Sequence, residues 1–354
     1  MENGKYVEGS LYFYAPNKGA PVVFAVLFAI SACTHLYQCI RYKSFKVSGL
    51  LPWAGTLFVV GYILREVGAF HYTYYSQSNV NIYIATIVML YAGPPLYELS
   101  NYLMLSRILY YVPYNSPIHP GRVLTTFGAL SSIVEALTGN GAAYSANSSL
   151  PQHKQDIGKA LIKASLILQL VVLSLFLLLA GHYHLKCKRA NQLPKNLSAV
   201  LHTLYASTCL VGVRTIYRTV EYYSSSSIHV TSDTDPSTFS PILRYEWFFY
   251  VFEATLMVIN TYLLNFRHPM RYLPRNNKIY LAPDGVTEIE GAGYHDNRFW
   301  LLTVFDPFDL VGMCRGKNME RKFWEVDAQN TGCCACAGGE EVVRPHDKEV
   351  SHDV

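Results

Sequence analysis

Charged side chains interrupt several long apolar stretches of this sequence. They are Arg65, Glu66, Glu98, Glu135, Arg214, Arg218, Glu221, Glu246 and Glu253. An ionisable residue at the centre of a membrane span costs about 2.5–3.5 kcal/mol on insertion scales, so such residues face a bundle interior or a polar cavity. We therefore treat these residues as candidates for a polar site inside a membrane.

The spacing of two groups of these residues predicts that each group lies on one side of its helix. Arg214, Arg218 and Glu221 recur at i, i+4 and i+7, which places them on one side of a helix. Glu246, Tyr250 and Glu253 follow the same spacing. We expect the two stripes to face each other and to form ion pairs. The charges could then serve only to hold helices together, or they could line a water-filled cavity.

The elements that position these residues are apolar segments of membrane-spanning length. Of the 354 residues, 51% are hydrophobic and 15% are charged, whereas soluble domains average about 25% charged. A span needs about 20 apolar residues. Seven windows qualify, at 21–40, 51–71, 81–103, 123–143, 161–183, 197–222 and 244–266. The fold class we predict is all-α: an integral membrane bundle of seven transmembrane helices.

Basic residues concentrate in alternate loops, which predicts the orientation of the bundle, although the loop after the fourth window carries Lys154 and Lys159. The loops after the odd-numbered windows and the segment after the last window carry Arg41, Lys43, Lys46, Arg107, Arg122, Lys186, Lys188, Arg189, Lys195, Arg267, Arg271, Arg275 and Lys278. Such loops stay on the cytosolic side. We expect residues 1–20 to be extracellular, 21–268 to form the transmembrane domain, and 269–354 to be a cytosolic, largely irregular tail.

In this orientation most of the charged residues occupy the outer half of the membrane. That half holds three arginines and five glutamates: Arg65, Arg214 and Arg218 against Glu66, Glu135, Glu221, Glu246 and Glu253. The surplus of two acids predicts either protonated carboxylates or a site for a cationic group. Because they lie closest to the midplane, Glu135 and Glu253 are the main candidates for either role.

Two further features concern modification. Asn147 begins an Asn-Ser-Ser triplet in a loop that we place outside, so it is a glycosylation candidate. Cys333, Cys334 and Cys336 cluster in the tail and are palmitoylation candidates, with an unmodified irregular segment or a metal site as alternatives. None of the eight cysteines lies in a predicted outside loop, which argues against a disulfide framework.

Several motifs together resemble one known family. They are Tyr14-Ala15-Pro16, the run Gly61 to Arg65, Pro94, Arg214-Thr-Ile-Tyr-Arg218-Thr-Val-Glu221, Glu246-Trp-Phe-Phe-Tyr250-Val-Phe-Glu253 and His268-Pro269. With them the chain resembles the fungal lipid-translocating exporters, also called RTA-like or aminocholesterol-resistance proteins. It departs from them at Glu135, where a Gln is frequent, and at Glu253, where an Asp is frequent. The resemblance implies a seven-span protein of the plasma membrane, with its N-terminus outside, that exports or flips sphingoid bases or similar amphiphiles and confers resistance to sterol-like toxins.

The leading functional hypothesis is a transporter of lipids or amphiphilic small molecules, not an enzyme and without a cofactor. No GxxxxGK[ST] phosphate-binding loop is present, so this chain is not expected to hydrolyse ATP. The net charge of +4 gives no reason to expect a nucleic acid partner. Two alternatives stay open: a seven-span lipid sensor that signals through a cytosolic partner of the tail, and a membrane hydrolase that uses histidines on the cytosolic side.

Overall fold

A computed structural model describes residues 7, 9–12, 14–146, 150–226, 240–274, 276, 278–285, 287–291, 306, 311 and 314. The glycosylation candidate Asn147 and the palmitoylation candidates Cys333, Cys334 and Cys336 lie outside the described residues.

Helices make up most of the described chain. The long ones are α1 (Ala20–Tyr42), α3 (Leu50–Phe70), α4 (Gln77–Tyr111), α5 (Pro120–Ala146), α6 (Gln152–Arg189) and α7 (Lys195–Ser226). The short helices α2 (Phe45–Ser48) and α8 (Pro241–Arg244) separate some of them. The last apolar segment joins α9 (Trp247–Phe249), a π-helix (Tyr250–Thr255) and α10 (Leu256–Phe266). Two short 3-10 turns, Pro113–Asn115 and Pro269–Arg271, complete the helical structure.

Each of the seven predicted windows coincides with helix. Six described helical segments are long and apolar enough to cross a membrane: Ala20–Tyr42, Leu50–Phe70, Gln77–Tyr111, Gln152–Arg189, Lys195–Ser225 and Trp247–Arg271. Helix α5 has 27 residues but is not among them, because polar residues such as Ser131, Ser132 and Thr138 dilute its apolar content. The seven-span count therefore remains a prediction.

The helices expose large apolar side chains, as a lipid environment requires. Trp53 and Leu178 are each 68% exposed, and Ile40 is 60% exposed. Many further large apolar side chains are exposed on the same helices, among them Ile30, Ile63 and Leu175. Helix α4 also runs unbroken through Pro94 and Pro95, which is tolerated in membrane helices because neighbouring groups satisfy the freed carbonyls.

The chain folds into two compact units, and the first contains the segments Met1–Asn101, Leu130–Leu177 and Thr203–His268. Within it α1 packs tightly on α3. A Cβ atom at Gly55 would lie only 2.8 Å from the Cβ of Ala32, so glycine is needed for the two backbones to approach. The rings of Phe28, Phe58 and Tyr62 stack beside this contact, with the Phe28 and Phe58 centroids 4.5 Å apart.

The second unit contains Tyr102–Ala129, Leu178–His202 and the described residues after His268. In it strands β1 (Ile279–Leu281) and β2 (Glu288–Glu290) form an antiparallel hairpin with Ile279 opposite Glu290. The guanidinium of Arg107 donates to the carbonyls of Pro274 and Asn276 at 3.1 and 2.8 Å. The described part of the predicted tail thus includes a short ordered hairpin.

Candidate functional site

The most deeply buried ion pair among the described residues joins α7 to the π-helix. The guanidinium of Arg214 donates to both carboxylate oxygens of Glu253, with Nε at 2.9 Å from each and Nη2 at 2.6 Å from Oε1. The two side chains are 7% and 0% exposed. The stripes on these segments face each other here, as their spacing predicts. A bidentate arginine–carboxylate pair is the geometry that best offsets the loss of hydration.

Glu253 lies within a stretch of altered helical geometry. Residues Tyr250–Thr255 form a π-helix, in which the Thr255 hydroxyl donates to the Tyr250 carbonyl at 2.8 Å. A π-helical turn accommodates one extra residue, so the side chains after it rotate relative to those before it. This helps to explain why Glu246 and Glu253, predicted on one stripe, pair with arginines of different helices.

Glu246 pairs with α3, which corrects the expectation that it faces the arginines of α7. Its Oε1 accepts from Arg65 Nη2 at 3.0 Å, and its Oε2 accepts from the backbone N–H of Asn17 at 2.8 Å. The Arg65 guanidinium also lies 4.0 Å from the Phe249 ring centroid and donates to the Tyr250 hydroxyl at 3.4 Å. Aromatic faces thus hold the arginine in place while the carboxylate balances its charge.

The remaining arginine, Arg218, pairs within its own helix. It donates to Glu221, three residues later on α7, and the Tyr217 hydroxyl donates to the same carboxylate at 3.4 Å. The Arg218 guanidinium lies 4.0 Å from the ring centroid of Tyr91 on α4. Because Glu221 on the same helix balances the charge of Arg218, the groups that face the pair from other helices can be aromatic.

The three pairs identify the two surplus acids as Glu66 and Glu135. Glu66 is half-buried and accepts the backbone N–H of Gly19 at 3.1 Å. Glu135 is exposed on α5 and is not among the residues that line the cavity described next. Glu253, expected to meet a proton or a cationic group, is instead bound to Arg214.

A cavity of about 330 Å³ opens within the first unit beside two of these pairs. Of the predicted site residues, it is lined by Arg65, Arg218 and Glu221. Six tyrosines that the sequence analysis did not select also line it: Tyr12, Tyr14, Tyr83, Tyr91, Tyr217 and Tyr245. Apolar side chains, among them Ile87, Leu90 and Leu243, complete the wall. The only signal for the aromatic lining is the total of 28 tyrosines in the chain.

The segment before α1 forms one wall of the cavity. Its Leu11 N–H donates to the Tyr72 carbonyl at 2.8 Å, and its Gly9 carbonyl accepts from the Tyr74 N–H at 3.0 Å. Burial raises the pKa of Tyr12 and Tyr14, and the nearby Arg65 only partly opposes this. Both phenols therefore stay protonated at neutral pH and present O–H donors.

Chemically, the cavity combines balanced charge with polarisable surface. Each lining arginine has its own carboxylate, so these ion pairs add no net charge, and the tyrosines offer both ring faces and hydroxyls. Such a lining suits a molecule that has a polar head and an apolar body. Within the described part of the chain, no three His, Cys, Asp or Glu side chains gather as a metal site would require.

Comparison with known proteins identifies a family. The family model described as RTA1 like protein matches residues 53–276. A Leptosphaeria maculans protein named lipid-translocating exporter-like protein RTA1 is 44% identical over 293 residues, which cover 81% of this chain and 56% of that protein. The chain thus spans little more than half the length of this relative.

More distant relatives cover larger shares of their own length. A protein of the same name from Ajellomyces capsulatus is 27% identical over 68% of this chain and 74% of its own length. Protoporphyrin uptake protein 1 of Saccharomyces cerevisiae is 25% identical over 70% of this chain and 88% of its own length. No solved structure matches the chain.

Proposed function

The chain belongs to the RTA1-like family and is a multi-pass membrane protein, and from this premise we propose that it translocates lipids or lipid-like amphiphiles across the membrane. The observation that carries the proposal is the cavity lined by tyrosines, Arg65 and the Arg218–Glu221 pair. Two relatives named as lipid-translocating exporter-like proteins support it. The name of a third relative, protoporphyrin uptake protein 1, also fits an amphiphilic cargo, although uptake is opposite in direction to export.

The proposal includes seven spans, with the N-terminus outside and the C-terminus in the cytosol. The basic residues of alternate loops support this orientation. Helix α5 would be the fourth span, since it lies in the chain between the third and fifth apolar helices, α4 and α6. With this topology the cavity lies in the outer half of the membrane, and the plasma membrane is the location we propose.

In this function the cavity residues would act by binding and not by chemistry. Tyrosine rings and apolar side chains would contact the part of the apolar chain that is nearest the head group of an amphiphile. The Arg218–Glu221 pair would hydrogen-bond the head group itself. We assign no enzymatic step and no cofactor. Movement of membrane-active compounds by this route would account for a contribution to drug or toxin resistance.

Lipid movement in cells tests the proposal directly. Cells that lack the chain would receive the wild type, Tyr91→Ala, Arg218→Gln or the control Ile216→Ala. Ile216 is 53% exposed on the same helix as Arg218 but outside the cavity lining. The probe would be a fluorescent sphingoid base, with a fluorescent phosphatidylcholine in parallel, and extraction from the outer leaflet would give the rate.

We expect both cavity variants to lower the rate about tenfold, as loss of about 1.4 kcal/mol of binding would. The control variant should retain the wild-type rate at equal surface abundance. Equal rates for wild type and the cavity variants with both probes would refute a transport role for this cavity.

A further inference from the structure

A second polar feature of the first unit lies between α1 and α10, away from the residues that line the cavity. Its members are uncharged apart from one histidine: Ser31, His35 and Gln38 on α1, and Asn260, Thr261 and Asn265 on α10. None of the six side chains is more than 7% exposed. We call this group the polar seam.

Hydrogen bonds connect most of the seam. The ring Nε2 of His35 lies 3.2 Å from the Thr261 hydroxyl, which lies 2.7 Å from the Ser31 hydroxyl. Asn265 donates from Nδ2 to the Ser31 hydroxyl at 2.5 Å. Gln38 donates from Nε2 to the backbone carbonyl of Asn265 at 2.8 Å. Side-chain hydrogen bonds thus join four members in one line, Asn265, Ser31, Thr261 and His35, and Gln38 is attached through a backbone carbonyl.

Several polar atoms of the seam have no partner among the described protein atoms. They are His35 Nδ1, Gln38 Oε1, Asn265 Oδ1 and both amide atoms of Asn260. Buried polar groups are nearly always satisfied by protein or by ordered water. Asn260 is the clearest case, because both its donor and its acceptor lack a partner whichever way the amide is turned.

The mixture of donors and acceptors identifies the ligand class. A metal cation would satisfy only the oxygen acceptors, whereas water satisfies the Asn260 N–H groups as well as the amide oxygens. Buried water typically makes about three hydrogen bonds to such groups. The chemistry of the orphaned atoms therefore favours water.

The seam also contains a group that can carry a proton. The imidazole of His35 is bonded through Nε2 to the Thr261 hydroxyl, and its Nδ1 has no partner among the described protein atoms. A histidine with a neighbour at each ring nitrogen can pass a proton from one side of the ring to the other. We propose that the polar seam holds a chain of ordered water and passes protons along α1 and α10 through His35.

Each transfer moves one proton and changes only O–H and N–H bonds. His35 would take up a proton at one ring nitrogen and release one from the other, while water and hydroxyls exchange hydrogen bonds for O–H bonds. From outside α1, the titratable side chain that faces His35 is that of His268, which stacks on Tyr42 with centroids 5.2 Å apart. The inference goes beyond lipid translocation, because proton passage is measurable without any lipid cargo.

The test uses the purified full chain in phosphatidylcholine vesicles that contain a pH-sensitive dye. A potassium gradient with valinomycin drives protons inward, and the dye reports the rate. The variants are Asn260→Leu, His35→Gln and the control Ile259→Ala, whose residue is 50% exposed on the same helix. His35→Gln keeps a hydrogen-bonding group for Thr261 but cannot titrate, so it serves if Asn260→Leu does not fold.

We expect wild-type flux above that of empty vesicles, a loss of at least about tenfold in both seam variants, and no change in the control. In a dry seam Asn260→Leu would instead remove two unsatisfied groups and raise the melting temperature while leaving flux unchanged. That result, or wild-type flux equal to empty vesicles, overturns the inference. Fluorescent lipid in the same vesicles reports translocation separately, so failure of one proposal is distinguishable from failure of the other.

Discussion

The last apolar segment carries two polar regions, which differ in how completely other protein groups satisfy their charges and hydrogen bonds. Near its start Glu246 and Glu253 each meet an arginine of another helix. Further along, the Asn265 amide donates to the Ser31 hydroxyl, whereas Asn265 Oδ1 and both amide atoms of Asn260 have no partner among the described protein atoms. The charged region is fully compensated by protein, whereas the amide region is not.

The difference follows from what each group loses on leaving water. An isolated buried charge costs far more than an amide, so a membrane protein must supply its counter-charge at hydrogen-bonding distance. An amide without a partner costs about 1–3 kcal/mol, and a water molecule can remove that cost. Compensated charges can thus serve as rigid supports, and incompletely compensated amides can hold solvent.

The strongest challenge to this comparison is to remove one member of the deepest ion pair. Arg214→Met leaves Glu253 as a fully buried carboxylate, and we expect a loss of about 3–5 kcal/mol in unfolding free energy. Denaturant titration in detergent micelles measures it. The double variant Arg214→Met with Glu253→Leu should recover most of this loss, because it removes the uncompensated charge. A double variant as unstable as the single one would show that the pair does not act through its charge.

A second substitution, in the Arg65–Glu246 pair, distinguishes the contribution of the arginine's charge from that of its planar shape, and we expect a smaller effect. Arg65→Lys keeps the positive charge opposite Glu246 but loses the planar group that lies over the Phe249 ring. We expect a loss of about 1–2 kcal/mol in unfolding free energy. The control Arg189→Lys, at an exposed position on α6, should change it little. Equal stability of wild type and Arg65→Lys would mean that the charge alone accounts for this contact.

The charged region could be located from the sequence, but its pairing could not. Ionisable residues inside apolar windows are visible because their cost is large. The pairing of arginines with glutamates depends on which helices are neighbours and on the π-helix. Helical periodicity in the sequence gives no information about either. Arg65 and Glu246 are separated by 181 residues, so no local rule connects them.

The tyrosine lining and the polar seam escaped prediction for a different reason. One or two uncharged polar residues do not prevent a segment from qualifying as an apolar window, so nothing in the sequence distinguishes Asn260 or Tyr91 from residues that face lipid. The helices themselves were predictable, because an apolar window about 20 residues long defines each one. The hairpin at 279–290 was not, since three-residue strands leave almost no alternation to detect.

The smallest effect concerns one hydroxyl of the seam. Thr261→Val keeps the shape of the side chain but removes the oxygen that joins Ser31 to His35. Hydrogen bonds between membrane helices contribute about 0.6 kcal/mol on average, so we expect a loss of about 1 kcal/mol for these two.

The matched control is Thr34→Val, because the Thr34 hydroxyl is exposed and donates to the Ile30 carbonyl of its own helix, with no second partner among the described residues. It should leave the unfolding free energy within about 0.5 kcal/mol of wild type. If both variants behave alike, the Thr261 hydroxyl does not join α1 to α10 and the seam is not one connected network. If Thr261→Val costs several kcal/mol, the seam is as tightly compensated as the ion pairs, and the contrast between the two regions disappears.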